Sequence, residues 1–247
     1  MPNPALNQNA FRNVAPGYID AADRMTMNGV VNKTGLLLLL TSATAVYTWH
    51  LFLAERSIGA VNGLMMLGFI GGFILSLVTV FAPKASPFTA PLYALAEGLA
   101  LGGISAFFEV RYPGIAIQAV ALTIGVLLAM LMLYSSRIIK VTDKFRMGVF
   151  AATGGIALFY FASMILGFFH VHLFNIAFSS PLSIGISLFV VVIAALNLVI
   201  DFDFIERASL AGAPKFMEWY GAFSIMVTLV WLYLEMIRLL AKLNDRR

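Results

Sequence analysis

Seven long runs of apolar residues, separated by short polar loops, constrain this 247-residue chain more than any other feature. A helix needs roughly 20 apolar residues to cross a ~30 Å hydrocarbon layer. Runs of this length without alternation indicate helices rather than the strands of a membrane barrel. The sequence therefore predicts an all-α membrane protein, a bundle of seven transmembrane helices. The predicted spans are Thr34–Leu53, Val61–Ala82, Pro91–Val110, Ile115–Ser135, Met147–Phe169, Leu182–Ile200 and Met217–Leu240.

The composition supports a membrane protein and argues against a soluble or secreted one. Hydrophobic residues make up 61% of the chain and charged residues only 11%, whereas about 25% of a soluble domain is charged. The chain has no cysteine, so disulfides and thiolate metal sites are excluded. Its net charge of +4 comes from basic residues scattered between apolar segments. Membrane topology explains this distribution better than nucleic-acid binding does, so we expect a lipid bilayer as the partner and no nucleic acid.

The first 33 residues differ from the rest because they are polar and rich in Asn, Pro and Gly. They lack the basic start and apolar stretch of a secretory signal. We expect residues 1–33 to form a mobile, cytoplasmic tail and residues 34–243 to form the seven-helix transmembrane domain.

The distribution of Lys and Arg predicts the orientation of the bundle. With a cytoplasmic N-terminus, ten of these residues fall inside and two outside in the tail and loops. We therefore expect an integral membrane protein with a cytoplasmic N-terminus. The C-terminus adds Arg238, Lys242, Arg246 and Arg247, which a seventh crossing places outside. Whether the last segment crosses or re-enters is open at this stage.

Polar residues inside the predicted helices are the candidate site, because ionisable groups in a membrane are costly and usually functional. The candidates are Glu97, Asn197, Asp201, Asp203 and Glu235. In the predicted orientation, Glu97 and Asp201 both lie toward the cytoplasmic side, where they can meet. Such carboxylates can bind a cation, share a proton or pair with a base. Pairing is the favoured interpretation for Asp203, which has Arg207 nearby, and both interpretations stay open for Glu235.

Motifs for catalysis are absent from the sequence. It contains no GxSxG, no GxGD and no zinc spacing. His170 and His172 are more typical of a solvated loop than of a metal site. We predict that the chain is not an enzyme and has no cofactor, with transient calcium at Asp201 as the one metal expected.

Glycines recur inside the helices, as in GFIGGF from Gly68, GLALGG from Gly98, and Gly154-Gly155. Small residues let helix backbones approach closely in lipid. The favoured interpretation is close packing, with hinges or a pore wall as the alternative.

The order of several motifs is similar to that of a known family. They are Glu97-Gly98 in the third helix, LVIDFDFIE closing the sixth, LEMIRLL in the last, and VNKTGLLLLL after the tail NPALN…FRN. From about Val30 to Leu243 the chain resembles the bacterial branch of the Bax inhibitor (transmembrane Bax-inhibitor-motif) family. The resemblance implies a last helix surrounded by the other six. Relatives are described as pH-sensitive calcium leak channels and, in some cases, as modulators of cell death or of membrane-protein quality control.

The resemblance also implies a pair of carboxylates, one ending the sixth helix and one in the middle of the last helix. Asp201 matches the first position. The second falls near Thr228, which cannot titrate, so the pair is not intact. The nearest acids that can replace it on the cytoplasmic side are Glu97 and Glu218.

The favoured function is thus a pH-sensitive passive leak for calcium or another cation, gated by carboxylates near the cytoplasmic side. One alternative is a regulator that transports nothing and binds another membrane protein such as a protease. A further alternative is a proton-coupled cation exchanger, which would use the same acids.

Overall fold

The structure, a computed structural model, describes residues 23–55, 58–168 and 180–246 of the chain. It contains seven helices that are long and apolar enough to cross a membrane, and no strand occurs within these ranges. The all-α prediction of seven helices is confirmed. They are α1 (Met27–Glu55), α2 (Ile58–Phe81), α3 (Ser86–Arg111), α4 (Ile115–Ser135), α5 (Asp143–Phe168), α6 (Pro181–Leu210) and α7 (Met217–Asn244), with a 3-10 turn at Pro83–Ala85.

Several helices extend beyond their predicted bounds. Helix α1 begins at Met27 rather than Thr34, so Lys33 lies inside it, and α6 continues to Leu210, ten residues past Ile200. Apolarity marks only the part of a helix immersed in lipid, whereas backbone hydrogen bonding continues into the polar interface. Of the predicted tail, residues 1–22 lie outside the described residues, and the division into tail and bundle stays a prediction.

The chain divides into two compact units. Within the described residues, we call 23–116 with Asp203–Val227 the N-terminal unit, and Ile117–Phe202 with 228–246 the C-terminal unit. Helices α6 and α7 therefore contribute to both units.

In the N-terminal unit, glycines of α3 lie directly against the backbone of α1. A Cβ atom on Gly98 would collide with the carbonyl group of Thr41, and one on Gly102 would lie 2.5 Å from the carbonyl oxygen of Ala45. A Cβ on Gly68 of α2 would lie 2.5 Å from a backbone oxygen of α3. Close packing, the favoured interpretation of these glycines, is confirmed here.

In the C-terminal unit, α5, α6 and the second half of α7 pack around Ile156, Val190 and Ile193, with Trp231 against this core. The glycine pair of α5 does not take part in close packing. Among the residues that the structure describes, no atom lies within 4 Å of a Cβ built on Gly154 or on Gly155. The packing interpretation is wrong at these two positions because no described neighbour lies close enough to contact an added side-chain carbon.

Burial differs sharply among the helices. In their most apolar stretches, 72% of the residues of α7 are buried, compared with 11% of those of α5. The apolar stretch of α7 is thus the most buried of the seven, and a last helix surrounded by the other six stays a prediction.

Candidate functional site

Asp201 and Thr228 form the central contact of the candidate site in the C-terminal unit. Asp201 of α6 is 1% exposed and Thr228 of α7 is 3% exposed. The Thr228 hydroxyl donates a hydrogen bond of 2.6 Å to Oδ2 of Asp201, a length typical of hydroxyl–carboxylate pairs. A buried carboxyl group is costly unless it is hydrogen-bonded, and the middle of α7 provides this bond.

Asn197 links the same region of α6 to α5. It is buried and lies one turn before Asp201, so both side chains lie on one face of α6. Its amide nitrogen donates to Oγ1 of Thr153 at 2.8 Å and to the carbonyl oxygen of Ile193 at 2.8 Å. The Asn197 side chain therefore forms a polar link between α6 and α5 within an otherwise apolar interface.

Glu235 lies two turns beyond Thr228 on α7 and is 1% exposed. The Tyr160 hydroxyl of α5 lies 3.0 and 3.1 Å from its two carboxylate oxygens and donates to them. Nη1 of Arg238 donates to Oε1 at 2.8 Å. The ion pair, one of the two interpretations open at the sequence level, is present, together with a tyrosine contact that the sequence did not indicate.

Lys242 is a buried cation whose place in the sequence indicated only the topology of the chain. The residue as a whole is 8% exposed. Its Nζ donates to Oγ of Ser187 at 2.7 Å and to the carbonyl oxygen of Ser183 at 3.4 Å. The first turns of α6 thus hold the far end of α7 through a charged group.

A buried polar residue occurs every seven residues along the part of α7 that belongs to the C-terminal unit. We call these three residues, Thr228, Glu235 and Lys242, the polar stripe. Seven residues are nearly two full turns, so the three side chains lie on one face of the helix. With a rise of 1.5 Å per residue, the stripe covers about 21 Å. Each member bonds to a polar group of α5 or α6. The spacing was readable in the sequence, but the partners were not.

The other sequence candidates lie in the N-terminal unit. Glu97 of α3 is half-buried and faces α2 at Gly72, where a Cβ would lie 2.6 Å from its Oε2. The missing side chain of Gly72 therefore leaves room for the carboxylate. Asp203 pairs with Arg207, with 2.9 Å between Oδ2 and Nε, which is the pairing that the sequence favoured.

Glu218, at the start of α7, is fully buried and holds the beginning of α1. The backbone N–H and the hydroxyl of Thr26 each donate to its Oε1 at 2.9 Å. Lys33 forms an ion pair with Oε2, and Lys215 lies 3.8 Å from Oε1. The carboxylate is thus engaged in joining two helix ends. Contact of Asp201 with Glu97 or Glu218 stays a prediction.

Metal-binding side chains do not converge in the part of the chain that the structure describes. No three His, Cys, Asp or Glu residues lie close enough there to hold a metal ion. His170 and His172 lie outside the described residues.

Comparison with known proteins tests the resemblance directly. A model of the Bax inhibitor 1 like family matches residues 3–245, nearly the whole chain. Searches of curated proteins and of solved structures gave no match. The family match covers all seven helices, including those that carry Asp201 and Thr228. The chain therefore belongs to the Bax inhibitor 1 like family.

Proposed function

We propose that this protein is a passive cation leak with calcium as its ion and with Asp201 as the titratable group of its gate. It has no cofactor and catalyses no reaction in this proposal. The excess of Lys and Arg on one side of the predicted bundle supports a cytoplasmic N-terminus, and the resemblance to the bacterial branch of the family supports a location in a bacterial plasma (inner) membrane. The observation that carries the proposal is the polar stripe of α7 and its contact with Asp201.

The polar stripe supports a route for ions because it keeps polar groups at successive depths of a buried helix. Hydrophobic side chains at these positions would pack without the cost of burying charged groups. Charged residues inside a membrane commonly mark ion pathways. The stripe extends over about 21 Å of a ~30 Å hydrocarbon layer, so it accounts for most of such a route.

The contact between Asp201 and Thr228 supports a gate that responds to pH. Carboxylate and hydroxyl oxygens are hard ligands of the kind that calcium prefers. A proton on Asp201 removes the negative charge that attracts a cation. Because Thr228 does not titrate, the charge of the Asp201–Thr228 contact depends on the protonation state of the Asp201 carboxyl group. Proton binding and calcium binding therefore compete at Asp201.

Calcium flux in proteoliposomes tests this function. Purified protein is reconstituted with a calcium-sensitive dye inside the vesicles, and influx is measured at two pH values. Wild type is expected to leak calcium with a pH-dependent rate. In Asp201→Asn the rate should change and should no longer depend on pH, because the amide keeps the shape and cannot titrate.

Asp203→Asn is the matched control, because Asp203 is an acid of the same helix that pairs with Arg207. It should retain the pH dependence of wild type. Saturable flux that needs an opposing proton gradient would indicate an exchanger. Absence of flux in wild type, or an unchanged pH profile in Asp201→Asn, would refute the proposed gate.

A further inference from the structure

An apolar groove lies on the surface of the C-terminal unit, between α5 and α6. Its volume is about 360 Å³. Gly155 and Phe159 line it from α5, and Ile186 and Phe189 line it from α6. No atom of the described part of the chain lies within 4 Å of a Cβ on Gly155, so the missing side chain keeps the groove open. In a membrane, a groove of this kind faces hydrocarbon.

A cluster of charged side chains stands at one end of the groove. Tyr160 connects the groove to this cluster, because the residue lines the groove and its hydroxyl donates to Glu235. The guanidinium of Arg238 lies 5.6 Å from the centre of that ring, and its side chain is 46% exposed. Lys242 bonds to Ser187, the neighbour of the groove residue Ile186. One acid and two bases leave the cluster with one net positive charge.

The order of polar and apolar parts along the helices matches that of a lipid. Along α5 the groove runs from Tyr160 back to Ala152, which is about 12 Å of helix. Arg238 and Lys242 lie about 9 Å and about 3 Å from the end of α7, whereas Tyr160 lies about 12 Å from the end of α5, nearer to its middle. The two bases are thus toward the membrane interface, and the apolar part of the groove extends from Tyr160 across the middle of α5.

We propose that this groove binds an anionic phospholipid, with one acyl chain between α5 and α6 and the phosphate beside the exposed guanidinium of Arg238, while the buried Lys242 contributes its positive charge without contacting the lipid. The groove supplies apolar contacts for the chain, and the net positive charge selects a negative headgroup. Arg suits the phosphate because its planar guanidinium can form two hydrogen bonds with it. The site is separate from the contact of Asp201, and its test does not depend on ion flux.

Trp231 provides a built-in reporter for this site. It packs against the core of Ile156 and Val190, and both of these residues line the groove. The other two tryptophans, Trp49 and Trp219, are replaced by Phe. The protein is reconstituted into phosphatidylcholine vesicles that contain phosphatidylglycerol, with brominated chains on one lipid or the other, and quenching of Trp231 fluorescence is measured.

Brominated phosphatidylglycerol is expected to quench Trp231 with an apparent affinity about fivefold above that of phosphatidylcholine, the effect of one basic residue near a headgroup. Arg238→Gln should abolish this preference while quenching by both lipids remains. Gly155→Leu should fill the groove and lower quenching by both lipids.

Gly154→Leu is the matched control, because Gly154 is the adjacent glycine with equally open space and does not line the groove. Brominated lipids should quench Trp231 of Gly154→Leu as strongly as in the parent protein, whose single tryptophan is Trp231. Equal affinity for the two lipids in the parent would overturn the headgroup selectivity. Equal quenching in Gly155→Leu and Gly154→Leu would overturn the site itself, and this comparison holds even if Arg238→Gln fails to fold.

Discussion

The ion pair between Glu218 and Lys33 permits a quantitative test of how α1 is held to α7. Glu218 is fully buried, and its carboxylate accepts bonds from the backbone and hydroxyl of Thr26 as well as from Lys33. The perturbation is a double-mutant cycle of Glu218→Gln and Lys33→Met. Glutamine keeps an oxygen that can accept from Thr26 and replaces the charged oxygen that faces Lys33 by an uncharged NH2 group.

The expected coupling free energy is about 1.5 kcal/mol, the lower end of the range for hydrogen bonds to charged groups. Two features reduce it from the upper end. The Lys33 side chain is 19% exposed, so polar surroundings screen part of the attraction. Lys215, 3.8 Å from Oε1, still supplies a cation when Lys33 is removed. A coupling of this size changes the unfolding equilibrium constant about tenfold.

The assay is unfolding in mixed detergent micelles, followed by circular dichroism and by tryptophan fluorescence. Lys33 lies 5.4 Å from the ring of Trp219, so Lys33→Met should also change its emission. The control cycle uses Asp143 and Arg146, a pair 3.8 Å apart in which Asp143 is 98% exposed. Its coupling should be close to zero. A Glu218–Lys33 coupling no larger than that of the control would refute this account.

Two further substitutions test packing and hydrogen bonding inside the bundle. Gly102→Ala should destabilise the protein by about 1–3 kcal/mol because the new methyl group collides with the backbone of α1. Gly125 faces open space among the described residues, so Gly125→Ala should be neutral or slightly stabilising. Thermal unfolding in detergent measures the stability of both variants. Thr228→Val should cost about 1–3 kcal/mol because it removes the hydroxyl that bonds to Asp201. Thr123→Val, whose hydroxyl bonds only within its own helix turn among the contacts described, should cost less, and equal losses in the two threonine variants would contradict this reasoning.

The number of helices was predictable from the sequence because the length of an apolar run is set by the thickness of the bilayer. The ends of the helices were less predictable. Lys33 reads as the edge of a polar tail, yet it lies inside α1, where the acid of Glu218 provides its partner. That acid is 185 residues away in the chain, so no local pattern reveals it.

The candidate site was partly predictable. Thr228 was identified by its position relative to the family pattern, and it does bond to Asp201. Tyr160 and Lys242 were missed as members of polar contacts. Helices that are apolar on all sides carry no periodic signal for the face that meets a neighbour, so the sequence could not indicate which polar residue of α5 or α6 meets α7.

The unequal burial of the helices has a consequence for how the chain can vary. A residue of α5 mostly faces hydrocarbon, since 11% of its apolar stretch is buried, so exchange among Leu, Ile, Val and Phe hardly alters its transfer energy. In α7, where 72% is buried, every lost methylene leaves a void that weakens the fold by about 24 cal/mol per Å³. Mutational drift should therefore accumulate in α5 and be purged from α7, so that the two helices diverge at different rates within one polypeptide.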